Sequence, residues 1–168
     1  MLYCLDTNVL IQAYRQYYAF DIAPGFWVGI REWSDKGVIG CPMNVFDEIA
    51  KSRDQLTEWA RTNKDSLFSY PDEQIVGAYS EIADFVANRY EPQHIQVFLG
   101  GADPWVVAFA KNQGAVVVTL EVLNPSEQQG RIPGRMAGKI RIPNICQHFS
   151  VRWMNTFDLM RAIRLTLN

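Results

Sequence analysis

The feature that most constrains the fold is the run AVVVTL at 115–120, apolar over its first four residues and β-branched from Val116 to Thr119. Such a run suits a parallel strand covered on both faces rather than an alternating, half-solvated one. It sits among segments with helical periodicity. Residues 2–6 (LYCLD) and 38–41 (VIGC) form two further short apolar runs, the second bounded by Gly37 and Pro42. KIRI (139–142) and VRW (151–153) are weaker strand candidates. Between them helices are expected at 7–18, 24–36, 43–52, 54–64, 71–89, 103–113 and 156–166. Pro24 and Gly37 punctuate the second. In 71–89, Ile75, Tyr79, Ile82 and Val86 recur at helical spacing. Strands alternating with helices imply a three-layer α/β/α fold, a parallel sheet of about five strands with helices on both faces.

A length of 168 residues fits a single domain spanning 1–168. At this size folding buries roughly 68–70% of the unfolded surface, so a core forms without a metal or disulfide staple. Hydrophobic residues make up 48% and charged residues 20%, which excludes a disordered chain. Cys4, Cys41 and Cys146 are odd in number and lack CxxC spacing, so buried reduced thiols are expected. Charged residues interrupt every apolar stretch before spanning length, and Asp6 breaks any signal-peptide core. The expected address is therefore cytoplasmic, with no membrane partner.

In an open parallel sheet, ligands bind outside the carboxyl ends of the strands. Asp6 ends the first strand, Asp47 and Glu48 follow the second, Asp103 opens the apolar helix and Glu121 follows the strongest strand. Two such charges about 4 Å apart repel by roughly 4 kcal/mol at an effective dielectric of about 20. Carboxylates gathered in this way take up protons or bind a cation. A donor set of oxygen alone suits magnesium or manganese rather than zinc. One or two such ions could activate water and neutralise a phosphate. Each acid also has a structural alternative. Asp103 before Pro104 has the form of an N-cap, Asp6 before Thr7 and Asn8 that of a turn and cap, and Glu121 that of a solvated loop residue. Periodicity does not choose between Asp47 and Glu48, which flank the apolar arc of Val45, Phe46, Ile49 and Ala50 symmetrically.

The ordered segments LDTN (5–8), VFDEI (45–49), ADPWVVAFAK (102–111) and VVVTLE (116–121) resemble the PIN-domain nucleases, including the VapC-like toxins. A bacterial PIN-like subgroup with an IPNIC-type segment (142–146) and a short C-terminal helix is the most similar. The resemblance covers essentially the whole chain. It implies metal-dependent hydrolysis of phosphodiesters, most often in RNA, by the toxin of a toxin–antitoxin pair. Carried over by position, Asp6, Glu48, Asp103 and Glu121 are the catalytic and metal-binding acids, and Glu48 is thereby preferred to Asp47. Asp6 and Asp103 would be the principal ligands. Asn8 and Thr119 match supporting polar residues that orient carboxylates or water. Glu121 departs from the family's commoner Asp, which places its role as a direct ligand in doubt. The resemblance further implies an antitoxin protein across the acidic groove and a homodimer.

Other classes fit less well. A haloacid-dehalogenase-type phosphatase needs an Asp two positions after the first, where Asn8 stands. A non-catalytic binding module would have lost at least one acid. A nuclease acting on DNA is not separated from one acting on RNA by any motif here. His94 and His148 are not required, and His148 with Cys146 offers too few ligands for a metal. Trp27, Trp33, Trp59 and Trp105 read as core, and Tyr14, Tyr17 and Tyr18 as core or rim packing that could alternatively stack on bases.

The net charge of -2 argues against a generally basic nucleic-acid coat. It conceals an asymmetry. Residues 1–114 carry 9 basic and 15 acidic residues, whereas 115–168 carry 7 basic and 3 acidic. The Gly-, Pro- and Gln-rich connection at 122–138 and the segment after it supply Arg131, Arg135, Lys139 and Arg141 without an intervening acid. These four are candidate phosphate-binding residues, and a solvated basic loop is the alternative.

Overall fold

The computed structural model describes residues 1–124 and 135–167. Five parallel strands form one sheet in the order β3-β2-β1-β4-β5: β1 (Tyr3–Leu5), β2 (Ile39–Pro42), β3 (Phe68–Ser69), β4 (Val116–Val118) and β5 (Trp153–Met154). Register pairs Cys4 with Gly40 on one side and with Val117 on the other. The central strand is thus the first in sequence. The chain winds outward from it to β3, crosses over to β4 and winds outward again to β5, so the direction of winding reverses between β1 and β4.

Ten helices accompany the strands among the described residues: α1 (Thr7–Gln12), α2 (Pro24–Asp35), α3 (Met43–Ala50), α4 (Gln55–Thr62), α5 (Lys64–Leu67), α6 (Glu73–Arg89), α7 (Pro92–Leu99), α8 (Asp103–Gln113), α9 (Ile142–His148) and α10 (Thr156–Ala162). Local chemistry sets their limits. Pro24 occupies the first turn of α2, and Gly37 at φ +68° ends it. There Gly37 N–H donates to Ser34 O (2.8 Å) and Val38 N–H to Trp33 O (2.9 Å), the paired bonds of a Schellman stop. Asp54 and Asp72 cap α4 and α6 by accepting from Thr57 and Ile75 N–H. A π-helical turn, Ala13–Tyr17, continues α1.

The helix at 103–113 is apolar on nearly every side because it is covered on nearly every side. α8 packs against β1, β2 and β4, and α6, α7 and α9 lie over it. Val106, Val107, Ala108, Phe109 and Ala110 are all buried. α2 packs on β2 and α5. The result is the three-layer α/β/α arrangement expected from the alternation of elements. Trp27 is buried, with its indole N–H donating to Tyr18 O (2.6 Å), while Trp33, Trp59 and Trp105 pack against the core half-buried. Tyr18 is buried on Phe26, Tyr14 lies against Phe20, and Tyr17 is exposed. All three cysteines are buried and unpaired. Among the described residues no helix is long and apolar enough to cross a membrane.

One strand assignment is corrected. KIRI (139–142) does not join the sheet. Ile142 is the first residue of α9, with Pro143 in its first turn, and Lys139–Arg141 run unpaired into it. The fifth strand is instead the two-residue β3, whose Phe68 pairs with Cys41. VRW (151–153) is strand only from Trp153 onward. The short helices α5, α7 and α9 were not expected from periodicity.

Candidate active site

The site lies at the carboxyl ends of β1 and β4, where the winding direction reverses. Asp6 follows β1 directly and is fully buried. Its backbone N–H donates to Val118 O (2.9 Å), and its Oδ2 accepts the Thr119 hydroxyl (2.9 Å). Its Oδ1 is buried with no hydrogen-bond partner among the described residues. An ionised carboxylate with one such oxygen costs free energy unless a proton or a cation reaches it. Burial pushes the Asp6 carboxyl up to about 6. The Thr119 bond and the nearby Asn8 backbone N–H oppose the rise, and the charges of Glu121 and Glu48 add to it.

Asp103 is the first residue of α8, and no side-chain cap bond is present, so it is not an N-cap in the ordinary sense. Among the described residues no hydrogen bond engages its carboxylate. Burial, then the charges of Asp6, Glu121 and Glu48, push it up to about 7 against the pull of Lys139.

The two glutamates are arranged differently. Glu48 Oε1 accepts Ala102 N–H (2.8 Å) and Oε2 accepts the Thr7 hydroxyl (2.6 Å). It thereby ties α3 to the residue before Asp103 and to the residue after Asp6. Asp47, its neighbour, is exposed. Glu121 accepts Ile142 N–H at Oε2 (2.8 Å), and its Oε1 meets Lys139 Nζ in an ion pair. Its side chain is 11% exposed, so it is not a solvated loop residue. Glu121 N–H in turn donates to Thr119 Oγ1 (3.1 Å), completing a chain from Asp6 through Thr119 to residue 121.

Asp6 and Asp103 therefore lie within electrostatic reach of each other and of both glutamates. As their side chains stand, no three His, Cys, Asp or Glu among the described residues form a group able to hold a metal ion. Both glutamates have both oxygens engaged by protein donors. Asp6 Oδ1 and the Asp103 carboxylate are left without a hydrogen bond among the described residues, and two carboxyl groups of raised proton affinity, one with an orphaned oxygen, fit a hard divalent cation.

Asn8 is half-buried and contributes its backbone N–H beside Asp6. Among the basic candidates, Arg135 donates to Tyr90 O (3.1 Å) and Arg141 to Val122 O (3.1 Å). Arg131 lies outside the described residues. Sequence reasoning missed Thr7 and the Ala102 amide as the partners of Glu48. Thr7 was visible as the hydroxyl beside Asp6, whereas a backbone N–H leaves no mark in a sequence.

The family model described as "Domain of unknown function (DUF4411)" matches residues 3–167. The chain belongs to the DUF4411 family. No curated protein matches this DUF4411 chain. Among solved structures, it is similar to a chain of VapBC-1 from nontypeable Haemophilus influenzae, with 20% identity, a TM-score of 0.52, and coverage of 92% of this chain and 98% of that one. It also matches a chain of VapBC2 from Rickettsia felis bound to a promoter DNA fragment, with 16% identity, a TM-score of 0.49 and the same coverage. The DUF4411 chain thus has the VapC-like PIN fold.

Proposed function

We propose that this chain is a nuclease that hydrolyses RNA phosphodiester bonds with one or two divalent ions, Mg2+ or Mn2+, and is the toxin of a toxin–antitoxin pair. The observation that carries this reading is the buried Asp6 Oδ1, unpartnered at the switch point beside a second uncommitted carboxylate, Asp103. Asp6 and Asp103 would hold the ion, and Glu48 and Glu121 would complete the catalytic set. A divalent ion bound there supplies a Lewis acid that lowers the pKa of a water nucleophile and offsets charge on the phosphate.

The chain's own groups do the positioning. Thr119 holds Asp6 Oδ2, so that Oδ1 is the oxygen left for the cation. Glu48, fixed by Thr7 and Ala102, sets the start of α8 and hence the place of Asp103. Asn8 borders Asp6. Arg135, Lys139 and Arg141, with Arg131, supply positive charge for the phosphate backbone. The scaffold is a PIN fold shared with a chain of VapBC-1, which supports an antitoxin partner. A homodimer and a cytoplasmic address complete the reading.

The test is cleavage of single-stranded RNA and of matched DNA with Mg2+, Mn2+ or chelator. Cleavage of RNA with metal, lost in chelator and in both Asp6→Asn and Asp103→Asn, is the expected result. Activity that survives both substitutions or persists in chelator would sink the mechanism. Preference for DNA would overturn the substrate assignment alone.

A further inference from the structure

We infer that Lys139 is a built-in cation of this site, so that the chain holds a single divalent ion between Asp6 and Asp103, with Glu121 positioning the lysine rather than ligating metal. This rests on the metal-dependent reading above and sharpens it. Three observations carry it. Glu121, the acid expected as a fourth ligand, spends Oε1 on Lys139 Nζ and Oε2 on Ile142 N–H. Glu48 is likewise committed at both oxygens. Of the four acids, Asp6 Oδ1 and the Asp103 carboxylate are left without a hydrogen bond among the described residues, a donor set for one ion with water completing its shell.

Charge points the same way. Lys139 reaches into the field of Asp103 and Asp6 as well as that of Glu121. An ammonium fixed there offsets part of the carboxylate repulsion and takes the place that a second ion would otherwise fill. Its side chain is 60% exposed while that of Glu121 is 11% exposed, so solvent reaches the lysine more readily than its partner carboxylate. A phosphate entering from solvent meets Lys139. Two further bonds keep it in place. Arg141 donates to Val122 O, and Asn124 N–H donates to Asn144 Oδ1 (2.9 Å), stitching the segment after β4 to the start of α9.

The test is Mn2+ binding to the full chain, followed by titration calorimetry and by the EPR signal of free Mn2+. The expected wild-type stoichiometry is one. Lys139→Met frees Glu121 Oε1 and removes a competing charge. It should take up a second Mn2+ or bind the first about tenfold tighter, the size expected of one charge at close range after screening. Lys139→Arg keeps the charge and should match wild type in number and affinity, and far-UV circular dichroism checks that both variants fold. Two ions in the wild-type chain, or a Lys139→Met variant unchanged in both number and affinity, overturn this inference and leave the nuclease reading standing. No Mn2+ binding by the wild-type chain overturns both.

Discussion

Thr119 donates its hydroxyl to Asp6 Oδ2 at 2.9 Å, joining the residues that follow the two central strands across the point where winding reverses. The contact spans 113 positions in sequence and is buried. It fixes which oxygen of Asp6 is used internally and which is left without a hydrogen-bond partner among the described residues. The same hydroxyl accepts Glu121 N–H, so one threonine sets the place of two acids.

Thr119→Val removes that donor and leaves both oxygens of a buried carboxylate without a side-chain partner. The expected loss is about 1–3 kcal/mol of stability at pH 8, where Asp6 is ionised. The loss shrinks at pH 5, where Asp6 is protonated, because a neutral carboxyl depends less on the bond. Urea unfolding at the two pH values measures both quantities. Equal losses at both would show that the threonine acts through packing alone.

Metal-free stability should fall as pH rises from about 4 to about 7. Asp6 and Asp103 are pushed up to about 6 and about 7, above the usual carboxylate range of the unfolded chain. In that window the native state binds more protons than the unfolded state, so each step up in pH favours unfolding. The contribution is fully present at low pH and lost above about pH 7, on the order of several kcal/mol for the pair. Urea midpoints in chelator at pH 5 and pH 8 check the sign. Asp6→Asn and Asp103→Asn should each flatten the profile, and saturating Mn2+ should restore stability at pH 8.

Gly101→Ala tests the seat of Glu48. A Cβ at Gly101 would stand 3.3 Å from Glu48 Oε1, the oxygen already held at 2.8 Å by Ala102 N–H. One of the two contacts must lengthen, and Asp103 lies two residues on. The expected outcome is a fold intact by circular dichroism with cleavage reduced about tenfold, on the scale of an active-site misplacement under 1 Å. Unchanged cleavage would show that Glu48 does not set the position of Asp103.

Much of this arrangement is legible in the chain because period and punctuation agree. The β-branched AVVVTL run, Pro24 with Gly37, and the apolar 103–113 segment each allow one structure, and each is found. KIRI misleads because its β-branched residues satisfy a strand pattern while Pro143 and the Glu121 carboxylate, 21 positions before Ile142, make its last residue a helix start. β3 is two residues long, too short to carry alternation. α7 had a readable signal in Pro92 and Gly100 that periodicity alone passed over. At the site, the residue types following the strands were legible, but the direction of each carboxylate was not. Whether Glu48 and Glu121 face a cation or a backbone N–H depends on contacts across 54 and 21 positions.

Glu121 separates ligand from support most directly. Glu121→Ala leaves Ile142 N–H without its acceptor and frees Lys139, so α9 loses the carboxylate at its start. Glu121→Gln keeps one acceptor oxygen, enough for Ile142 N–H, but gives up the charge that holds Lys139. If Glu121 acts by positioning, Glu121→Ala should speed hydrogen exchange at the start of α9, and Glu121→Gln should leave it near wild type. Removing the N-terminal acceptor should cost about 1 kcal/mol in Glu121→Ala. Mn2+ affinity should change less than threefold in Glu121→Gln, against near-complete loss in Asp6→Asn, because an oxygen already given to a backbone N–H is a poor metal ligand and the release of Lys139 offsets the lost carboxylate charge. Loss of Mn2+ binding in Glu121→Gln equal to that in Asp6→Asn would instead make Glu121 a direct ligand whose backbone bond yields when the ion arrives.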